Sequence, residues 1–131
     1  MKLDDLHTDI IWEGEIEGEE LALYAELDEG HANINFGNMK GGVLHKVGGE
    51  ALKLFNNPVA AGIAAGLALN ALAKYKSNKN KTARFFAKDY RQKKFYKKIV
   101  NDLMKTGNYK KVTSKYVAGG YLWELQIKNL Y

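Results

Sequence analysis

Cysteine is absent from these 131 residues, proline occurs once and histidine three times. The lack of cysteine excludes thiolate zinc sites, iron–sulfur ligation, cysteine nucleophiles and any disulfide framework. His7, His31 and His45 are too few and too scattered for a recognisable metal site. The stretch Asp4-Asp5-Leu6-His7-Thr8-Asp9 offers carboxylates and an imidazole but no defined ligand spacing. No Gly-x-Ser-x-Gly elbow, His-Glu-x-x-His or dinucleotide fingerprint occurs, and the glycines between 37 and 42 lack the Gly-Lys-Ser/Thr ending of a phosphate loop. The expectation is therefore a non-enzymatic chain with no catalytic residue, metal or cofactor. Met1-Lys2-Leu3-Asp4-Asp5 places acids where a secretory signal has a basic flank and an apolar run. Export by that route is not expected; a cytoplasmic or virion-associated location is. A chain of this length buries enough surface to fold as one domain without a staple.

What is present is charge, and it is sorted along the chain. Residues 1–50 carry twelve acids against three bases, and residues 51–131 carry seventeen bases against three acids, so the net +5 conceals a dipole in sequence. Such asymmetry points to a polyanionic partner or an acidic arm. The halves can also neutralise each other within one copy. A third reading is head-to-tail assembly, in which the acidic end of one copy meets the basic end of the next and builds a ring or filament.

Apolar and polar residues alternate over 9–17, 21–27 and 31–36, the pattern of strands with one buried face. Ile10, Trp12 and Ile16 share one face of the first segment, and Glu13, Glu15 and Glu17 the other. With turn signals at Gly18 and at Asp28-Glu29-Gly30, a three-stranded antiparallel meander follows. Adjacent members of the glutamate row lie about 6.8 Å apart, too far to grip one ion. They form a solvated acidic face or a contact for a basic partner.

Val43, Val47, Ala51 and Leu54 recur at near-helical spacing and predict a short helix ending at Phe55. Asn57 and Pro58 then cap and start another, since asparagine suits the N-cap and proline the first helical position. Residues 59–73 are apolar or small on every side except Asn70, which predicts burial. Residues 58–73 would reach only about 24 Å against a hydrocarbon core of about 30 Å, so the segment is short for a span. Ala61, Gly62, Ala65 and Gly66 make a small-residue surface on which another backbone can approach closely. The helix is therefore expected inside the domain or, less favoured, between subunits or at a membrane.

Residues 82–105 are expected to form a long basic helix capped by Thr82, with Gly107 as its stop. Gly119-Gly120 predicts a two-residue hairpin turn. That register sets Tyr116 opposite Trp123 on an apolar side and Lys115 opposite Glu124 on a polar one. Arg84, Arg91, Lys93, Lys94, Lys97, Lys98, Lys110 and Lys111, interleaved with aromatic residues, are the candidate polyanion contacts. A basic helix followed by a hairpin, over 82–128, resembles the recognition helix and wing of winged-helix domains. Glu124-Leu125-Gln126-Ile127-Lys128 faintly resembles the acidic-x-Lys element of metal-dependent restriction-type nucleases, but Gln126 stands where the acid belongs.

The expected architecture is a single α+β domain. It comprises an acidic meander within 1–42, a helical part over 43–106 (short helix, buried Ala/Gly helix, long basic helix) and a hairpin over 109–130. The expected function is a structural or adaptor subunit of a larger assembly, self-assembling or bound to other proteins. Ala61, Gly62, Ala65 and Gly66, together with Glu13, Glu15 and Glu17, are the candidate assembly contacts. Nucleic-acid binding through the basic helix and hairpin is the alternative, and membrane association the third. In its small size, lack of cysteine and Lys/Asn/Tyr-rich tail the chain is similar to many small phage and mobile-element proteins, a likeness that makes a virion component one form of the first reading.

Overall fold

The alternating segments near the N-terminus become β1 (Thr8–Ile16), β2 (Glu19–Asp28) and β3 (His31–Lys40), antiparallel neighbours joined by tight turns. The computed structural model describes residues 7–46, 52–75 and 82–128. After β3 come β4 (Val43–His45), a 3₁₀ turn (Lys53–Asn56), α1 (Pro58–Lys74), β5 (Thr82–Ala87), α2 (Tyr90–Lys105), β6 (Tyr109–Val117) and β7 (Gly120–Ile127). All seven strands among the described residues belong to one sheet. Its order is β1-β2-β3-β5-β7-β6, with β4 paired to β3.

This mixed sheet corrects the expected architecture of a small meander, three helices and a separate hairpin. The meander and the hairpin are two wings of one sheet, and β5 is the strand that joins them. It runs parallel to β3 through Ile34↔Phe85 and antiparallel to β7 through Phe85↔Trp123. Parallel neighbours need a long crossover, and α1 lies within the connection between β3 and β5.

Thr82–Ala87 was expected to be helical, because Phe86 and Tyr90 stand one turn apart. Its own alternation prevails instead: Ala83, Phe85 and Ala87 are buried, and Thr82, Arg84 and Phe86 face the other way. The helix begins only after Asp89, whose side chain accepts from the Gln92 amide at 2.9 Å. Thr82 is therefore not the cap. The expected short helix at 43–55 is also replaced. Val43–His45 extends as β4, Lys53–Asn56 forms a single 3₁₀ turn, and residues 47–51 between them lie outside the described residues. Glu19 holds that turn by accepting from the Lys53 and Leu54 amides at 3.0 and 3.2 Å.

The core lies between one face of the sheet and the layer formed by α1, α2 and the 3₁₀ turn. Leu21, Leu23 and Ala25 of β2, Ile34 and Phe36 of β3, Phe85 of β5, and Trp123 and Leu125 of β7 meet Ala64, Ala68 and Leu72 of α1 and Phe95, Tyr96, Ile99 and Leu103 of α2. Asn57 caps α1 as expected, its Oδ1 accepting from the Val59 and Ala60 amides, with Pro58 at the first turn. Burial of α1 on every side is not observed. It covers the sheet with alanines, leaving Val59 61% and Ile63 45% exposed. Small side chains let the helix lie close to a sheet already filled by large ones.

Among the described residues, no helix covers the other face of the sheet. There, the end of β4 folds back across the meander: a Cβ on Gly37 would sit 2.9 Å from the His45 carbonyl oxygen. Lys46 Nζ reaches Thr8 Oγ1 at 2.8 Å and Glu26 at 3.4 Å, above the Tyr24 ring.

The hairpin forms with a register moved by two residues from the expected one. Val117 pairs with Gly120, and Ala118-Gly119 is the loop. The two glycines have different tasks. Gly119 takes φ +89° in the turn, whereas a Cβ on Gly120 would stand 2.1 Å from the Ala87 carbonyl oxygen, so Gly120 belongs to the strand that packs there. A two-residue displacement preserves the face of each side chain near the turn. Tyr116 now opposes Tyr121, Ser114 opposes Trp123, and Lys115 opposes Leu122. A bulge between Lys111 and Thr113 then reverses the alternation in the outer half of β6.

Candidate functional site

Sheet order converts the dipole in sequence into a dipole in space. Among the described residues, β1 and β6 are the two edges, and each has a backbone side with no strand beside it. Both are nine residues long. On β1, Glu13 pairs with Ala22 and Glu15 with Glu20, which places both glutamates, exposed, on the helix-free face. Glu17 is not in their row. It sits in the β1–β2 turn with φ +49°. On β6, Lys110 opposes Gln126 and Lys115 opposes Leu122, on the same helix-free face at the far edge. Ile10 was expected beside Trp12, but a bulge between them turns it to this outer face, 49% exposed.

Between the edges, one candidate cation is paired locally. Arg84, expected to contact a polyanion, lies directly opposite Glu124 and donates to it from Nε at 3.0 Å, with Nη2 3.1 Å from His31 Nε2. Thr113 donates to the other carboxylate oxygen at 3.1 Å. Burial pushes the Glu124 carboxyl up, but the hydrogen bonds from Arg84 and Thr113 and the neighbouring positive charge bring it below its ordinary 4.5. Arg84 is thus engaged in an ion pair within the sheet.

The remaining candidate cations other than Lys110 divide between the two flanks of α2. Arg91, Lys94 and Lys98 line one flank, facing Ala61, Gly62 and Ala65 of α1 across a groove of about 490 Å³ that also takes in Phe55 and Tyr90. Two sets of residues assigned to separate roles therefore share one surface. Arg91 is tied to Asn56 and Asp89. Ala65 is buried, Gly62 and Gly66 are exposed, and a Cβ on either glycine would meet open space. The close approach that these glycines were expected to allow is not used within this copy.

Lys93 and Lys97 line the opposite flank of α2, with Lys111 of β6 across from them in a cleft of about 260 Å³ over Ser114, Tyr121 and Trp123. Sequence reasoning took the rings as far as Tyr116 as stacking partners for bases, but it did not include Tyr121 and Trp123. Tyr116, Tyr121 and Trp123 form a ladder with centroids 4.7 and 4.8 Å apart. Lys93 Nζ lies 4.5 Å from the centroids of both tyrosines. The signal was available in the spacing: Tyr121 and Trp123 stand two apart on one strand, opposite Tyr116.

Among the described residues, no helix is long and apolar enough to cross a membrane, and no three metal-ligating side chains cluster. Residues 4–6 of the acidic N-terminal stretch lie outside the described residues. The winged-helix resemblance does not extend to the topology, because α2 follows a strand and the hairpin continues the same sheet. No family model, curated protein or solved structure matches the chain.

Proposed function

We propose that this chain is a non-enzymatic structural subunit that joins its neighbours edge to edge, the acidic β1 of one copy against the basic β6 of the next. The observation that carries this reading is the placement of Glu13 and Glu15 at one end of the sheet and Lys110 and Lys115 at the other, on the same face. Unpaired edge strands are templates for further pairing, and charges and bulges on them restrict which partner is accepted. Like charges directly opposite one another destabilise a pair. The glutamates therefore oppose β1–β1 contact and the lysines β6–β6 contact, while β1–β6 contact is favoured.

Strand direction supports the same arrangement. Following the pairings across the sheet, β1 and β6 run the same way. A neighbour with its helices on the same side would add β1 to β6 as a parallel pair. That contact is heterologous, so it continues into a ring or an open filament rather than closing as a two-fold dimer.

Light scattering on a sizing column tests this directly. Mass should rise with concentration at low salt and fall as salt screens the edges. Glu13→Lys with Glu15→Lys, or Lys110→Glu with Lys115→Glu, should each give a monomer. Mixing the two doubly reversed proteins should restore association, since each then meets an edge of opposite sign. A wild-type monomer at every concentration in low salt, or reversed proteins that associate unchanged, would overturn the reading.

A further inference from the structure

The cleft between α2 and the β6–β7 hairpin has a composition that the edge contact does not use. Lys93 and Lys97, one helical turn apart, and Lys111 across from them all line it, and no acid does. Among the described residues none of the three has an ion-pair partner. Three uncompensated cations converging on one concavity repel one another and favour an anion between them.

Beside them stands a ring in an unusual situation for its size. Tyr116 is 73% exposed, yet it is held in place: Lys93 Nζ donates to its hydroxyl at 2.5 Å, and Tyr121 meets it edge to face at 4.7 Å. An exposed ring fixed from behind loses little freedom when something stacks on it. Ser114 and Asn101 add hydrogen-bonding groups to the same cleft.

We propose that this cleft binds single-stranded nucleic acid, with Lys93, Lys97 and Lys111 on the phosphates and Tyr116 stacking against a base. An acidic peptide would be drawn by the lysines but makes no comparable use of an exposed, braced aromatic face. A duplex keeps its bases stacked inside. Groove cations along the backbone combined with aromatic platforms are the general solution for unpaired strands. Because this cleft lies over the helix-side face of β6, its residues are separate from Lys110 and Lys115 on the other face, and the two proposals stand or fall independently.

The experiment is fluorescence anisotropy of a labelled oligo(dT), across a salt series, with a duplex of equal length and an acidic oligopeptide as competitors. Binding should weaken with salt. Lys93→Gln, Lys97→Gln and Lys111→Gln together should flatten the logarithmic salt slope by about two, since each single-strand phosphate contact contributes about 0.7. Tyr116→Ala, which removes no charge, should weaken binding roughly tenfold while leaving the slope unchanged. A control triple variant, Lys40→Gln, Lys53→Gln and Lys74→Gln, with equal charge removed at exposed residues that do not line the cleft, should bind nearly as wild type. Thermal melts establish that each variant is folded, and Tyr116→Ala serves alone should the triple variant fail to fold. No binding at low salt, equal loss in the cleft and control variants, an unchanged affinity in Tyr116→Ala, or tighter binding of the duplex or the peptide would each overturn the proposal.

Discussion

Tyr109 donates its hydroxyl hydrogen to the carbonyl oxygen of Leu72 at 2.8 Å, fastening the first residue of β6 to the last turn of α1. The last carbonyls of a helix have no partner within it. Here one of them is answered by a side chain 37 positions later. Tyr109→Phe keeps the buried ring and removes only this bond. The Leu72 carbonyl still accepts from the Tyr75 amide at 3.2 Å, so the cost should be modest, about 1 kcal/mol. Urea denaturation should show a lower midpoint with an unchanged slope. An unmoved midpoint would mean that the end of α1 is held by packing alone.

The same phenol enters a second prediction, on alkaline stability. Burial pushes the Tyr24 and Tyr109 hydroxyls up to about 12, with lesser contributions from Glu26 and Tyr75 respectively, and pushes Tyr96 higher still. In the unfolded chain these groups ionise near 10. Above that pH the unfolded state releases protons that the folded state retains, so unfolding becomes easier as pH rises from about 10 to about 12. Each phenol adds up to about 1.4 kcal/mol per pH unit to the decline. Chemical melts across this range, with phenolate absorbance as the readout, should show a shallower decline in Tyr109→Phe than in wild type. Equal declines would place the titration elsewhere.

At the acid end the relevant pair is Arg84 and Glu124. The Glu124 carboxyl is held below its ordinary value in the fold, burial raising it and the bonds from Arg84 and Thr113 outweighing that rise. Its contribution is complete above the unfolded carboxyl range and is lost as pH falls through the depressed folded value. Glu124→Gln should therefore cost about 1–2 kcal/mol at neutral pH and remove part of the acid-induced loss, so the wild-type and variant stability curves converge as pH drops. Curves that stay parallel down to the acid transition would show that Arg84 and Glu124 are coupled too weakly to matter.

What the residues disclosed in advance follows the range of the interactions involved. Asn57-Pro58 announces the start of α1 because capping is settled within one turn. The meander and the hairpin were legible because alternation and turn chemistry act over a dozen residues. β5 was not, since its identity depends on β3 and β7, whose partners for Phe85 are Ile34 and Trp123, each tens of positions away. Two of its inward residues are alanines, which carry little apolar signal. The candidate contacts divided in the same way. Exposure of Glu13, Glu15 and the lysines followed from pattern, whereas the withdrawal of Arg84 into an ion pair with Glu124 required the strand pairing. The hairpin turn was misplaced because two adjacent glycines look equivalent locally, and only Ala87, from a different element, distinguishes them.

That distinction makes the glycines a test with opposite signs. Gly120→Ala would drive a Cβ to 2.1 Å from the Ala87 carbonyl oxygen and 2.8 Å from Phe86 Cζ. Backbone cannot yield there without opening the β5–β7 pair, so the cost should be about 2 kcal/mol or more. Gly62→Ala and Gly66→Ala meet nothing within 4 Å. Each should stabilise α1 by up to about 1 kcal/mol, because glycine is the costlier residue in a helix. Thermal melts of the three single variants should therefore move in two directions, down for Gly120 and up for the helical pair. If alanine at Gly62 or Gly66 instead lowers the melting temperature in a concentration-dependent manner, the exposed small surface of α1 is already occupied by another copy in solution. The open space above it would then be a contact rather than a free flank.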